Sequence, residues 1–142
     1  MEMTNIYKAA DLIQVITEGK TPPNCDLTLQ IEATYAENGI ARGLWKVDEK
    51  FINGKGIAMG GYVSSAADII MAYAISSTLE AQQTFASIDL HTTFHRPVLQ
   101  GDVLVEAKVD RKGNKIAYIV AELFQNEKKV ASVVSSVMII PD

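Results

Sequence analysis

The stretch "NGKGIAMGGYVSSAADIIMAYAISS", from Asn53 to Ser77, joins a glycine-rich loop to a long apolar segment. Between Gly60 and Leu79 the only formally charged residue is Asp68. A helix that is apolar on every side is expected to be buried, and a buried carboxylate is costly unless it has partners or a function. Asp68 is therefore a candidate active-site residue. A carboxylate on a solvent-facing side of the helix remains the alternative.

The pair Gly60-Gly61 stands where this helix is predicted to begin. Two glycines could simply make a tight turn, or they could let a ligand carbonyl approach bare backbone N–H groups at a helix N-terminus, as in an oxyanion hole. Asp68 follows Gly60 by eight residues, which is about 12 Å along a helix. If the glycines and Asp68 cooperate, the carboxylate must come from a neighbouring helix, and the site lies between two subunits.

The elements that must position these residues follow from changes in hydrophobic period. A first helix is predicted from Thr4 to Gly19, and Asn38-Gly39 predicts a tight hairpin turn. Short connections favour antiparallel neighbours, so we predict an α+β fold in which one antiparallel sheet packs on one long helix. After the first helix the predicted order is a strand over Leu27–Tyr35, a strand over Ile40–Val47, a helix over Gly61–Thr78, and strands over Ala86–Pro97, Val103–Val109, Lys115–Phe124 and Lys129–Ile140.

Composition narrows the class of protein. A chain of 142 residues is expected to form one domain, residues 1–142, and a net charge of −4 argues against nonspecific nucleic-acid binding. Cys25 is the only cysteine and there are two histidines, so neither an intrachain disulfide nor a structural zinc site is expected, and no cofactor is implied. Polar residues interrupt the apolar segment, and the N-terminus lacks a signal-peptide pattern, so the prediction is a soluble cytoplasmic protein without a membrane partner.

The loop and helix resemble those of the hotdog-fold thioesterases, specifically the small phenylacetyl-CoA-type (PaaI-type) acyl-CoA thioesterases. That family's motif is approximately N-x-x-G-x-x-H-G-G, with Asp or Glu seven positions after the last Gly. This sequence matches it at Asn53, Gly56, Gly60, Gly61 and Asp68, with Met59 at the position of the His. The element order is similar as well, so the resemblance spans nearly the whole chain.

The resemblance implies a homodimer, pairing further into a dimer of dimers, that hydrolyses an acyl-CoA thioester at the dimer interface. The N–H of Gly61, alone or with that of Gly60, would polarise the thioester carbonyl, and Asn53 would position substrate or water. Asp68 of the other chain would be the base or nucleophile, with Ser87 hydrogen-bonded nearby.

Substrate-binding candidates complete the prediction. Gly56, Met59 and Tyr62 belong to or adjoin the loop, although an aromatic such as Tyr62 is more often a core or interface residue than a substrate contact. Three cationic side chains could meet the nucleotide phosphates of CoA, or could simply be solvated: Arg96, Lys112 and Lys115.

Met59 is the clearest departure from the family motif. Because methionine donates no hydrogen bond, polarisation falls to the backbone amides and the helix dipole, or to another donor. A catalytically weak protein that binds acyl-CoA or lipid is therefore the second hypothesis. A hydratase ranks last, because no His lies in the loop or the long helix. His91 and His95 share strand parity with Ser87 and could face one surface with it.

Overall fold

The computed structural model describes residues 6–142, so the predicted helix start at Thr4 lies outside the described residues. Within that range the helices and strands follow the order α1 (Ala9–Thr17), α2 (Asn24–Leu29), β1 (Ile31–Glu37), β2 (Ile40–Val47), α3 (Gly60–Ser76), β3 (Gln83–Ser87), β4 (His91–Phe94), β5 (Gly101–Lys112), β6 (Ile116–Gln125) and β7 (Lys128–Pro141). A short 3-10 turn covers Glu49–Phe51.

The seven strands form one antiparallel sheet in the order β1-β2-β5-β6-β7-β3, and β4 also pairs with β7. Strands β5, β6 and β7 are long, and bulges interrupt the β5–β6 and β6–β7 registers. Bulges increase the local twist of a sheet, which helps it to curl. The predicted hotdog architecture, a sheet wrapped around one long helix with an extra N-terminal helix, is confirmed.

Helix α3 fills the concave side of this sheet. Its apolar residues are buried on several sides, including Val63, Ile70 and Ala74, and β5 contributes alternate side chains such as Val103 and Val105. Alternation along a strand turns every second side chain to the core, so the period-two pattern of the sequence positions the sheet against α3. No helix among residues 6–142 is long and apolar enough to cross a membrane.

The prediction of a strand beginning at Leu27 is wrong. Residues Asn24–Leu29 form α2, which begins after Pro23. In a helix, residues three apart share a side, and Asp26 and Leu29 are both buried while Leu27 is exposed. The alternation of apolar and polar residues in "LTL" therefore reflects a short helix, and β1 starts only at Ile31.

The strand predicted over Ala86–Pro97 is divided into β3 and β4. Asp89 lies between them, where its carboxylate accepts a hydrogen bond from the backbone N–H of Ser136 (2.8 Å) and its carbonyl accepts one from Ser135 Oγ (2.7 Å). These contacts hold the break against β7. The result is an edge made of two short strands rather than one long strand.

Candidate active site

The start of α3 leaves backbone donors open. Met59 precedes the helix with an extended backbone (φ −61, ψ 135), and its side chain makes no capping hydrogen bond. Its carbonyl accepts from the N–H groups of Tyr62 (2.9 Å) and Val63 (3.3 Å). The N–H groups of Gly60 and Gly61 have no acceptor within the described part of the chain. They lie at the positive end of the helix dipole, where an anion or a polarised carbonyl oxygen is stabilised.

The loop before α3 is organised by Asn53. Its Oδ1 accepts from the N–H groups of Lys55 (2.8 Å) and Ile57 (3.4 Å), and its own N–H donates to the carbonyl of Ile57 (2.8 Å). Gly56 has φ +82, a left-handed conformation that glycine adopts without strain, and its N–H donates to the Asn53 carbonyl (3.0 Å). Asn53 and Gly56 therefore shape the loop, and the amide nitrogen of Asn53 remains available to a ligand.

Two backbone hydrogen bonds fix the loop to the body of the protein. The N–H of Ala58 donates to the carbonyl of Val98 (2.8 Å), and the N–H of Met59 donates to the carbonyl of Phe51 (2.9 Å). The ring of Phe51 in turn lies 4.9 Å from the ring of Tyr62, centroid to centroid. The position of the helix start is thus set on both sides, which is what preorganised donors require.

A cavity of about 450 Å³ lies beside the helix start. It brings together three of the predicted site residues, Asn53, Gly60 and Arg96. The remaining lining residues are Ile57, Ala58, Val63, Phe94, His95, Pro97 and Val98. The Nε2 of His95 is hydrogen-bonded to Ser132 Oγ (2.8 Å), across the β4–β7 edge.

Phe94 was not found from the sequence. The end of its ring, Cζ, would lie 2.8 Å from a Cβ placed on Gly60, so a side chain at position 60 would collide with the ring unless the ring moved. The glycine is therefore needed for close approach, and the ring stands directly at the helix start. A large aromatic residue that ends a strand carries no distinctive sequence signal.

Asp68 lies on an exposed side of α3, so its predicted burial is wrong for the single chain. Eight residues separate it from Gly60, about 12 Å along the helix, and it does not line the cavity. Its carboxylate has no hydrogen-bond or ion-pair partner among residues 6–142. The side chain reaches solvent, yet neighbouring protein removes part of its water, and this partial burial raises the pKa of the carboxyl.

The other predicted residues lie elsewhere in the single chain. Ser87 is exposed at the end of β3, opposite Val137. Lys112 donates to the carbonyl of Thr78 (2.7 Å), at the opposite end of α3 from the loop. Lys115 lines a separate cavity of about 550 Å³ between β3 and β6. In residues 6–142 no three His, Cys, Asp or Glu side chains are grouped so that they could hold a metal ion.

Comparisons with known proteins agree with this architecture. A solved structure from Ralstonia eutropha, described as a candidate thioesterase related to phenylacetic acid degradation, superposes with a TM-score of 0.82 at 24% identity over 89% of this chain and 98% of that one. The Escherichia coli PaaI protein of the phenylacetic acid degradation operon gives a TM-score of 0.79 at 23% identity, covering 93% of each chain. At these identities the similarity shows the fold.

A curated protein of Pseudomonas aeruginosa, named as a candidate esterase, is 35% identical over 88 residues, which are 61% of this chain and 66% of that protein. The chain thus spans slightly less than two thirds of the length of this relative. The sequence pattern of the thioesterase superfamily matches residues 55–132, which include the end of the loop, all of α3 and most of the sheet. The chain belongs to the thioesterase superfamily.

Proposed function

We propose that the protein hydrolyses acyl-CoA thioesters at a site shared by two copies of the chain. The observation that carries the proposal is the pair of N–H groups at Gly60 and Gly61, which have no acceptor among residues 6–142 and open beside a cavity at the start of α3. Such donors stabilise the oxyanion that forms when a thioester carbonyl is attacked. Membership of the thioesterase superfamily supports the same reaction class.

In the proposed mechanism the substrate carbonyl oxygen accepts hydrogen bonds from the Gly60 and Gly61 amides. Asp68 of the second chain takes a proton from water as the water oxygen attacks the carbonyl carbon, or attacks that carbon itself and is then released by water. The C–S bond breaks, and the CoA thiolate takes up the proton. A carboxylate with a raised pKa is the stronger base, which favours the first route.

Two features of the single chain support a shared site. Asp68 is too far along α3 to reach a carbonyl held at its own helix start. The β3–β4 edge pairs only with β7 among the described strands, and the connection between β3 and β4 exposes Ile88 (53%) and Leu90 (40%). An open edge with exposed apolar side chains is a suitable surface for a second copy. Further pairing into a dimer of dimers stays a prediction, as does a cytoplasmic location.

We propose substrate contacts from the positions of side chains relative to the cavity and the start of α3. Arg96 lines the cavity and is the best-placed cation for a CoA phosphate, whereas the Lys112 ammonium is engaged with the end of α3. Lys115 would need the second copy to bring it near a substrate. Met59 adjoins the helix start and Tyr62 follows it, so both are proposed to border the acyl group, and Ser87 is proposed to contact the Asp68 side of the completed site.

A protein that binds acyl-CoA with little or no hydrolysis is the second candidate. The specific observation in its favour is Met59, whose side chain supplies no donor at the position where the PaaI-type motif has His. The loss of one oxyanion donor typically lowers kcat by about a hundredfold or more. Both candidates use the same cavity and differ only in turnover.

The test measures thiol release from a panel of acyl-CoA esters, comparing the wild type with Asp68→Asn. We expect hydrolysis by the wild type, a fall of about a hundredfold or more in Asp68→Asn, and sedimentation as a dimer or larger at micromolar concentration. Asn keeps the size of the side chain, so the melting temperature should be unchanged or higher. Binding without thiol release would support the second candidate, and full turnover by a monomer would contradict the shared site.

A further inference from the structure

The two open amides emerge next to two apolar side chains. The Met59 methyl, Cε, lies 3.3 Å from the position of a Cβ on Gly61, and the Phe94 ring lies 2.8 Å from the corresponding position on Gly60. Each glycine is thus covered closely by one apolar group. Both side chains are half exposed in the single chain, Met59 at 46% and Phe94 at 54%. We call this pair the apolar collar.

The wall next to the collar is also poor in hydrogen-bonding side chains. Most of the residues that line the cavity are apolar, and its polar side chains, Asn53, His95 and Arg96, are not part of the collar. The His95 ring is held at Ser132 through Nε2. A carbonyl oxygen at the Gly60 and Gly61 amides would therefore have its adjoining acyl carbons among a thioether methyl, an aromatic ring and aliphatic groups.

We propose that the collar of Met59 and Phe94 sets the acyl specificity of the site, so that it takes acyl groups that are plain hydrocarbon next to the thioester carbonyl. This inference rests on the proposed thioester hydrolysis. A hydroxyl or carboxylate on the second or third acyl carbon would lose water on entering the collar, and neither the Met59 thioether nor the Phe94 ring offers a hydrogen-bond donor in exchange. Burying an unpaired polar group is unfavourable. Straight-chain and aryl acyl groups carry no such group and only gain contact.

The expected discrimination against polar acyl groups depends on Met59, which stands where the family motif has His. A His at position 59 could hydrogen-bond a substituent near the carbonyl, whereas a thioether is at most a weak acceptor. A purely apolar surface rejects an added hydroxyl by only about a hundredfold at most, because it has no designed clash. The expected preference is therefore about tenfold to a hundredfold rather than absolute.

The experiment compares kcat/KM for acyl-CoA esters that differ by one group: butyryl-CoA against 3-hydroxybutyryl-CoA, and butyryl-CoA against succinyl-CoA. We expect butyryl-CoA to be preferred by at least about tenfold in both pairs. Met59→Gln, which has the same length and can hydrogen-bond, should reduce the preference over 3-hydroxybutyryl-CoA by about threefold or more. Met59→Leu is the matched control and should leave that preference within about twofold, since it stays apolar.

The outcomes separate this inference from the function on which it rests. Equal kcat/KM for butyryl-CoA and 3-hydroxybutyryl-CoA would overturn the collar while leaving hydrolysis in place. A preference for succinyl-CoA would overturn it as well and would indicate that Arg96 binds an acyl carboxylate. No hydrolysis of any ester would overturn the proposed function and the collar together. Because both side chains are half exposed, their substitution should cost little stability, and melting temperatures check this.

Discussion

The two ends of α3 differ in whether the chain itself satisfies their backbone hydrogen-bonding groups. At the C-terminal end the carbonyls are covered by side chains: Ser77 Oγ donates to the carbonyl of Ala74 (2.7 Å), and Thr78 Oγ1 donates to that of Ile75 (2.7 Å). Lys112 adds an ammonium group, which also suits the negative end of the helix dipole. This end is closed by the chain itself.

The N-terminal end has no such covering. Met59 cannot cap, and the Gly60 and Gly61 amides are left without an acceptor in the described residues. Capping by Ser, Thr, Asp or Asn typically contributes about 1 kcal/mol, so the open end gives up stability that a single substitution could supply. This difference supports the proposal that the open donors serve a ligand, because the chain supplies donors to the last carbonyls of α3 but no acceptor to these two amides.

The largest expected effect comes from removing one donor at the open end. Gly60→Pro deletes the N–H, is tolerated at the first residue of a helix, and suits the extended backbone of Met59. We expect kcat for thioester hydrolysis to fall by about a hundredfold or more. Gly60→Ala is the matched control, since it adds a Cβ against Phe94 but keeps the N–H.

If Gly60→Ala is as inactive as Gly60→Pro, the effect is steric and the donor is not used. The double variant Gly60→Ala with Phe94→Ala then shows whether removing the ring restores turnover. A Gly60→Pro protein with wild-type kcat would contradict the role proposed for the open end of α3.

Two carboxylates, one in α3 and one packed against it, differ in burial and in hydrogen bonding. Asp26 is buried (2% exposed) and accepts a hydrogen bond from Tyr73 Oη (2.6 Å), whereas Asp68 is exposed and unpartnered in the described chain. Burial raises the pKa of both carboxyls, and in Asp26 the Tyr73 hydrogen bond opposes the shift. A carboxyl whose folded-state pKa is raised contributes stability below its unfolded pKa and loses it as pH rises through the folded pKa.

Asp26→Asn should therefore raise the melting temperature at pH 7 and leave it nearly unchanged at about pH 3.5, below the unfolded pKa of Asp. Its thioester hydrolysis should match that of the wild type, in contrast to Asp68→Asn. Thermal unfolding at both pH values, with thiol release at pH 7, measures both effects. Destabilisation at pH 7 would mean that the ionised Asp26 is held favourably by Tyr73.

A smaller effect is expected at the closed end. Lys112→Met should lower the free energy of unfolding by about 1 kcal/mol, because the Thr78 carbonyl loses a charged donor. KM for acyl-CoA should stay unchanged, while Arg96→Met should raise it. A higher KM in Lys112→Met at unchanged stability would instead support a contact between Lys112 and CoA.

The sequence predicted the parts whose hydrophobic period is long and regular. Helix α3 and strands β2, β5, β6 and β7 have the predicted type. The loop motif led to Asn53 and Gly60 at one cavity, and Arg96, predicted separately as a cation for the CoA phosphates, lines the same cavity. Short elements were harder to predict. Helix α2 has only six residues, too few for its hydrophobic period to be distinguished from that of a strand. The break at Asp89 depends on hydrogen bonds to β7, which are distant in sequence.

The environment of Asp68 could not be derived from local pattern either. Apolar neighbours on both sides in sequence predicted burial, yet the sheet covers only part of α3 and leaves Asp68 exposed. Whether a helix face is covered is decided by how elements pack and by the assembly of chains, so the single sequence does not determine it. Phe94 could not be predicted for the same reason: its contact with Gly60 forms only when β4 packs against α3.

The claim that one site combines the Gly60 amide of one chain with Asp68 of another can be tested by mixing two inactive variants. If Asp68→Asn and Gly60→Pro chains are unfolded and refolded together in equal amounts, each mixed dimer contains one site with both defects and one intact site. Random pairing makes half of the dimers mixed, so activity should return to about one quarter of the wild-type value. Activity that stays at the level of the separate variants, in a sample shown to contain mixed dimers, would place both groups in one chain and contradict the shared site.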